Sequence, residues 1–590
     1  METIKNRISG LRLSWPLLIL CAVVLALIVV FVVWFVSQER FIYFWDGANY
    51  FTLYKEFARK LIEKPFKALD SINVSMRKSD YNNVGVVPLV PFYYVFGPGR
   101  IFYILSIAVV YAFSTIVFFP VLMRKITGRE DPDQTNKFLF FLVGIATIAL
   151  WPQLWIPVLL GYVDVAGVGL IFLILWLYFR KNFAEQTKKD LVKLGLALCL
   201  LVILRRWYAY WTVGFFVALA VAEIIRFISD KADFKEFLRR FGRVAIVGAT
   251  AAGAFFALAT QIAVKMLKTD YGDIYSAYRQ STGIGQNFEK LYTDFGLLTL
   301  LLCAGGVVTM FARKRLRPAA LFLGVIFAVA FYLFTRTQDL GYHHNYWVLS
   351  LLVVFAAAFV LELYARLSST GAKIAFVAVL IVAGLANFAV VFSPRAENLL
   401  APAAFAFPKT RLAPMVRNDL EEIHHLLQKL DELTANTDKK IYVLSSSAAL
   451  NSSVLQNGCG EFEPALKKLQ DRIMASNDVD KRDGFPFQMY RADYVVVSDP
   501  PGYHLFPEDQ RIAIVPAEQL INNQSIGRAF TRLPFEYPLD DGRRAIIYRK
   551  DRRFTAEELL TVSWMFVEFY PDRRAQFEIT PELLREFSEN

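Results

Sequence analysis

Charge is what this sequence has little of for its length. Asp, Glu, Lys and Arg make up 20% of 590 residues, while 55% are hydrophobic and the mean hydropathy is +0.38. A water-soluble chain of this size carries more charge and shorter apolar runs, so composition excludes an ordinary soluble enzyme. Cysteine is scarce too. Of four cysteines, Cys21, Cys199 and Cys303 lie in apolar runs and Cys459 stands alone near the C-terminal end. That excludes an internal disulfide framework and a cysteine metal site. Histidine numbers only five. In the pair His343–His344, adjacent helical positions point apart, and neither acid nor histidine follows at i+4 from His344, so no metal site is expected. The pair His424–His425 falls in an amphipathic helix and reads as solvated. There is no internal repeat. Acidic residues are outnumbered, giving a net charge of +12. That surplus sits largely in short loops between apolar runs, a pattern that argues against nucleic acid as a partner.

What the chain has in quantity is apolar stretches of membrane-crossing length, each needing roughly 20 residues for a bilayer core of about 30 Å. Pro16–Val36 is too long for a signal-peptide core and lacks a clear small-residue cleavage site, so it reads as a retained span. Further spans are expected at Ile101–Leu122, Phe138–Leu159, Leu160–Phe179, Leu191–Arg206, Trp211–Ile225, Val244–Met266, Gly296–Phe311, Ala319–Phe334, Trp347–Leu363 and Ile374–Phe392. That makes about eleven helices. The stretch 138–179 holds Asp164 as its one charge and must turn near its middle, where Pro152 and Pro157 are breakers. The stretch 191–225 must turn at "RRWYAYW", which puts Arg205 and Arg206 at a membrane surface.

Loop charge sets the orientation. Lys5, Arg7 and Arg12 precede the first span. Arg124, Lys125, Arg129 and Lys137 follow the second, and Arg180, Lys181, Lys188 and Lys189 the fourth. Arg226, Lys231, Lys235, Arg239, Arg240 and Arg243 follow the sixth, and Arg313, Lys314, Arg315 and Arg317 the eighth. All fall on one side, expected to be the cytoplasm. An odd number of spans then places the C-terminal region, and the loop carrying Asp46, outside.

The expected organisation is a transmembrane domain over 1–392, with an external loop at 37–99 containing interfacial helices. A Pro- and Ala-rich linker follows at 393–414, then an external α/β domain at 415–590. In that last region a helix is expected over Met415–Leu433. Strand-like runs follow at "IYVLSSS", "YVVVSD", "IAIVP" and "AIIYRK", and "AEELLTVSWMFVEFY" reads as a closing helix. Asn73, Asn451 and Asn523 begin glycosylation-type triplets, which matter only in a secretory host.

The outer loops collect the unusual residues. "FIYFWDGANYF" sets Asp46 among aromatic rings shortly after span one. "GYVDVAG" carries Asp164, "RRWYAYW" carries Arg205, Arg206, Trp207 and Tyr208, and "RTQDLGYHHNYW" carries Arg336, Asp339, His343 and His344. Ionisable groups in such apolar hairpins are costly and by default functional. Plainer roles exist for each. Asp46 fits a peripheral amphipathic helix, and Asp164 fits a helix cap or the partner of an arginine. Arg205 and Arg206 can snorkel to headgroups, and the rings of Trp207, Tyr208, Tyr342 and Trp347 suit either a sugar pocket or an interfacial belt.

An acid in "WDG" soon after span one, a long first external loop and a second acid at the next external turn resemble the GT-C superfamily. These are integral-membrane glycosyltransferases that use polyprenyl-phosphate sugars. The resemblance covers roughly residues 1–392, with a C-terminal external domain of the kind bacterial members carry. Some relatives have a second acid beside the first, whereas here Gly47 follows Asp46. The resemblance implies an inverting transfer to an acceptor hydroxyl with Asp46 as general base, a role contributing about 10²–10⁴-fold. A covalent retaining route would need a second carboxylate about 5 Å away. The departing phosphate needs cations, and Arg205, Arg206, Arg336, His343 and His344 are the candidates for substrate binding, with Asp164 binding substrate or tuning Asp46. No cofactor and no divalent metal is expected. Implied partners are membrane lipid, a polyprenyl-phosphate sugar and a glycan, glycolipid or cell-wall acceptor, in a bacterial cytoplasmic membrane. A secondary transporter or lipid-linked-sugar flippase is the alternative, and should show repeat symmetry and midplane charges. A third reading is a non-enzymatic assembly subunit.

Overall fold

The computed structural model describes residues 15–128, 134–231, 233–281, 283–461 and 464–589. Lys5, Arg7, Arg12 and Arg129 lie outside the described residues. The chain forms two compact units. The first comprises Met1–Gln38, Asn49–Thr269 and Ser281–Pro414, and the second Glu39–Ala48, Asp270–Gln280 and Met415–Asn590.

The first unit is a polytopic α-helical membrane domain. Helices long and apolar enough to cross a bilayer are Trp15–Val36, Arg100–Thr127, Tyr208–Ser229, Phe234–Leu258, Ile284–Ala312, Arg317–Thr335, Asn345–Arg366 and Thr370–Phe392. In lipid only such internally bonded segments satisfy their backbone. Each of the remaining expected spans also falls on a helix, but with less regular geometry. The third is bent by 54° between Lys137–Ala149 and Pro152–Leu159. Pro152 opens the second piece, where its missing N–H costs nothing. The chain then reverses at Gly161, whose φ of +88° suits glycine. Val165–Phe179 has 15 residues and Lys188–Leu204 has 17, so both are short for a crossing. The described structure thus holds eight clear spans, or nine with the bent pair, against about eleven expected.

Burial identifies the helix at the centre. In Asn345–Arg366, 83% of the most apolar window is buried, against 22% in Trp15–Val36 and 11% in Phe234–Leu258. The exposed faces of the outer helices are themselves apolar, as a lipid-facing surface requires. The second span contains a π-helical segment, Ala108–Phe113, a geometry that often marks functional positions. Residues 394–406, expected as linker, form a short helix at Pro394–Leu400 and a 3₁₀ segment at Ala401–Ala406. Arg411 pairs with Glu397 at 3.0 Å.

The second unit is built on a four-stranded mixed sheet. Its strands are β1 (Ile441–Leu444), β2 (Tyr494–Asp499), β3 (Phe530–Pro538) and β4 (Arg544–Lys550), in the order β1-β2-β4-β3. β1 and β2 are parallel; β4 is antiparallel to both β2 and β3. One face carries Ile423, Leu426, Leu427 and Leu430 of helix Leu420–Thr434. The other carries Ile512 and Leu520 of helix Arg511–Ile521 and Leu559, Val562 and Phe566 of helix Ala556–Phe569. Thr555 and Glu558 close a reciprocal capping box on the last helix.

Two expectations change here. "IAIVP" lies in helix Arg511–Ile521, not in a strand, because a short apolar run fits either period and its face packs on the sheet. The strand β3 was not expected.

Candidate functional site

The first unit gathers six of the expected site residues into one cluster. Asp164 ends the reversal at Gly161 and precedes helix Val165–Phe179. It is fully buried. Arg205 follows helix Lys188–Leu204 in an extended conformation, and its Nε lies 2.8 Å from Asp164 Oδ1. Arg205 is 7% exposed, buried within the protein. The reason is the pairing: a charge this deep persists only with a partner. Arg205 also donates from Nη1 to the Tyr50 hydroxyl at 2.9 Å. Its guanidinium lies over the rings of Tyr81 and Tyr50, at 5.1 and 5.4 Å.

Tyr208 donates its hydroxyl proton to the Asp164 carbonyl at 2.8 Å. That approach requires Gly167, since a Cβ there would fall 2.2 Å from the Tyr208 ring. Trp207 lies against Tyr208, with centroids 3.8 Å apart and planes tilted by 30°, and meets His344 edge-on at 5.4 Å. His343 stacks flat on Tyr162 at 4.7 Å and lies 4.0 Å from His344. Burial, with the Arg205 cation nearby, holds the His343 imidazole well below its ordinary pKa, so the ring is neutral at pH 7. Among the expected residues, then, Asp164, Arg205, Trp207, Tyr208, His343 and His344 come together. Trp347, by contrast, is fully buried beside Phe327, Phe331 and Phe334, not in an interfacial belt.

Arg206 takes a separate partner. Its Nη1 lies 2.7 Å from Asp80 Oδ2, which also meets Lys265 Nζ at 2.9 Å. Two cations thus meet at one carboxylate. Arg336 lies over the Tyr332 ring at 5.6 Å. Asp80, Tyr81 and Tyr50 were not singled out in the sequence. They belong to the first loop, where Asn82 donates to the Ile203 carbonyl at 2.7 Å and ties that loop to the helix bearing Arg205.

A cavity of about 500 Å³ opens beside this cluster. Leu204, Ala166, Val84, Tyr111, Ser114 and Thr115 contribute to its wall. Leu204 immediately precedes Arg205, and Ala166 is two residues beyond Asp164. Tyr111 comes from the π-helical segment. The wall is overwhelmingly apolar.

Asp46 belongs to a segment that groups with the second unit. It lies in the first turn of helix Trp45–Glu63, where a negative charge suits the helix dipole, and it is half-buried. The preceding segment is held by side chains of the second unit. Ile42 is 1% exposed within the core that contains Ile423 and Leu427, and Phe44 packs against it. Ile42 and Phe44 thus belong to a protein core. Arg40 donates to the Met415 carbonyl at 2.9 Å, and the Arg417 N–H to the Arg40 carbonyl at 2.8 Å. Asn457 donates to the Tyr43 carbonyl at 3.0 Å. Trp45 has φ of +49°, a strained conformation for a bulky residue that persists only where surroundings impose it. Its N–H donates to Ser453 Oγ at 3.2 Å, and its ring lies 4.4 Å from His504. Among the described residues, no three or more His, Cys, Asp or Glu side chains gather as metal ligands.

Two solved structures are similar to this chain. One is ArnT from Cupriavidus metallidurans bound to undecaprenyl phosphate, with a TM-score of 0.46 and 12% identity over 91% of this chain and 98% of that one. Another is the archaeal oligosaccharyltransferase AglB from Archaeoglobus fulgidus in complex with an inhibitory peptide and a dolichol-phosphate. Its TM-score is 0.42, with 13% identity over 82% of this chain and 70% of that one. No family model matches, and no curated protein matches.

Proposed function

We propose that this chain is an inverting membrane glycosyltransferase of the GT-C type, moving a sugar from a polyprenyl-phosphate donor to an acceptor hydroxyl. The observation that carries the reading is the apolar cavity of about 500 Å³ whose wall includes Leu204, next in sequence to the buried Arg205. An isoprenoid tail needs an apolar berth reached from lipid, and its phosphate needs cations at one end. The Arg206–Asp80–Lys265 group, which brings two cations together, is the candidate phosphate contact. The Asp164–Arg205 pair, which is neutral as a unit, holds the wall beside it. Trp207 and Tyr208 supply aromatic faces for a sugar, with the neutral His343 and the neighbouring His344 as hydrogen-bonding partners.

Asp46 is the proposed base. Its carboxylate takes the proton of the acceptor hydroxyl as that oxygen attacks the anomeric carbon. The bond to phosphate breaks with its electron pair, leaving polyprenyl phosphate, and the sugar inverts. The basic loops at 124–125, 180–189, 226–243 and 313–317 support a cytoplasmic location for their side of the membrane. The acceptor, Asp46 and the second unit then lie on the outer side, in a bacterial cytoplasmic membrane. The acceptor class is a glycan, glycolipid or cell-wall polymer.

The test uses purified protein with a panel of polyprenyl-phosphate sugars and membrane glycolipid acceptors. Transfer with inverted anomeric configuration is expected, with Asp46→Asn lowering kcat by about 10²–10⁴-fold. A folded Asp46→Asn protein that transfers at near-native rate removes the base assignment. Solute uptake into vesicles without transfer replaces the enzyme reading with transport.

A further inference from the structure

We propose that Asp294, Gln153, Asn345 and Thr410 form a sodium-ion site inside the membrane domain, at the break in helix Ile284–Ala312. The break is at Gly296, with φ of +75° and ψ of 156°. A Cβ there would fall 2.5 Å from backbone atoms of Phe407 and Pro408, so the chain folded across the break leaves room only for glycine. The first half of the helix ends at Asp294 and Phe295. That end carries the negative pole of the helix dipole and carbonyls with no intrahelical partner.

The side chains gathered there are rich in oxygen. Asp294 is 4% exposed, Gln153 3% and Asn345 2%. Thr410 Oγ1 donates to Asp294 Oδ1 at 2.7 Å, and Asn345 Nδ2 donates to Asp294 Oδ2 at 2.9 Å. Gln153 donates its amide N–H to the Asp294 main-chain carbonyl. These bonds leave Gln153 Oε1 and Asn345 Oδ1 buried with no hydrogen-bond donor, and both residues line one void with Asp294, Tyr342 and Thr410. Among the described residues no lysine, arginine or histidine forms an ion pair with Asp294. A carboxylate and two residues with unpartnered amide oxygens thus line one void at a helix C-terminal end, inside a membrane domain where uncompensated charge is expensive. A cation answers all three at once.

The donor set selects which cation. Calcium takes six to eight oxygens, commonly several carboxylates, and magnesium keeps its own waters. One carboxylate with neutral oxygens suits a monovalent ion. The void does not admit a water-sized sphere. A bare sodium ion is smaller than a water molecule, and a potassium ion is not. The ion would fasten the half-helix end to the segment at 407–410, whose Lys409 and Thr410 N–H groups already donate to the Thr293 carbonyl at 2.7 and 3.2 Å. This site is independent of the sugar-transfer reading, and its test does not read activity.

The full chain is purified in detergent in choline chloride, then titrated with NaCl, KCl or CaCl₂ at constant ionic strength. The thermal-unfolding midpoint and calorimetric binding are followed. Sodium is expected to raise the midpoint saturably and bind at one site, with potassium at least tenfold weaker. Asp294→Asn is expected to abolish the response. Should that variant not fold, Gln153→Met, which removes one oxygen at similar volume, is expected to weaken sodium binding tenfold or more. Equal midpoints in sodium and choline overturn the site, as does an undiminished sodium response in either variant. Tighter binding of calcium than sodium overturns the monovalent assignment.

Discussion

The pairing of Asp164 with Arg205 makes the most exacting prediction about the cluster, because both charges are buried. Asp164 is 0% and Arg205 8% exposed at the side chain, with 2.8 Å between them. Removing one member of such a pair leaves a buried charge uncompensated, at a cost of about 3–5 kcal/mol. Asp164→Asn takes the carboxylate from Arg205, and Arg205→Gln takes the guanidinium from Asp164, so each single change is expected to destabilise, by up to about that amount. The double change Asp164→Asn/Arg205→Gln removes both charges together. It is expected to cost less than the sum of the two, with a coupling of about 2–3 kcal/mol. Tyr50→Phe removes only the hydroxyl that accepts from Arg205, and is expected to cost about 1–3 kcal/mol. The assay is reversible unfolding by SDS in mixed micelles, monitored by far-UV circular dichroism, on the three single variants and the double. If the double equals the sum of the singles within about 0.5 kcal/mol, the two groups do not act as a pair. The account of why Arg205 is buried then fails.

Other consequences are sharper in direction than in size. His343 has its pKa depressed below the ordinary 6.5 by burial and Arg205. The unfolded chain therefore binds that proton more readily, and stability present above about pH 6.5 is lost as pH falls; His343→Gln should flatten that slope in the same unfolding assay. Gly167→Ala pushes a Cβ into the Tyr208 ring and should cost about 1–3 kcal/mol, with loss of binding to a labelled polyprenyl phosphate if Tyr208 borders the donor. In the second unit, burial raises Asp478 to about 6 against the pull of Arg482 and with the push of Asp483. Burial likewise raises Asp480 to about 6, opposed by the Ile512 N–H, the Tyr570 hydroxyl and Arg511. The folded unit holds these protons more tightly, so stability present below about pH 3.8 is lost as pH rises to about 6. Hydrogen exchange in β2, corrected for intrinsic rates, should report that loss, and Asp478→Asn should reduce it. Finally, sugar transfer is expected to persist in excess chelator; strict dependence on an added divalent ion would instead require a metal acting as Lewis acid.

What the sequence disclosed, and what it hid, follows from how each feature is enforced. The spans were legible because lipid demands long, internally bonded apolar segments, and that demand is written in composition alone. Pro152 and the turn at "RRWYAYW" were legible for a related reason, since a chain that must reverse shows its breakers. The burial of Arg205 was not legible because it depends on a partner 41 residues earlier in the chain. Hydropathy sees only a charge; the fold shows the partner that lets it be buried. Asp80, Tyr50 and Tyr81 were missed for the same cause, since nothing local distinguishes them from other acids and rings of the first loop. In the second unit "IAIVP" carried no period of its own, so the face it packs against decided for helix. The strand Phe530–Pro538 was hidden by Pro534, which argues against a strand in a sheet interior. The order β1-β2-β4-β3 puts β3 at the edge, with its register shifting between Arg532 and Glu536, and at an edge or bulge proline is tolerated. The aromatic segment before Asp46 shows the deepest ambiguity. A run such as "FIYFW" satisfies a lipid headgroup layer and a protein core equally well, because both ask for large rings with polar rims. The difference lies in Ile42, which has no polar atom to offer an interface and is 1% exposed. Asp294 is harder still. Its acid is visible in "YTDFG", but its neighbours Gln153 and Asn345 are neutral amides, distant in sequence and silent in any charge pattern. A site made of one acid and borrowed amide oxygens becomes recognisable only when the fold has spent the amide N–H donors on the acid's own residue and left the amide oxygens without donors.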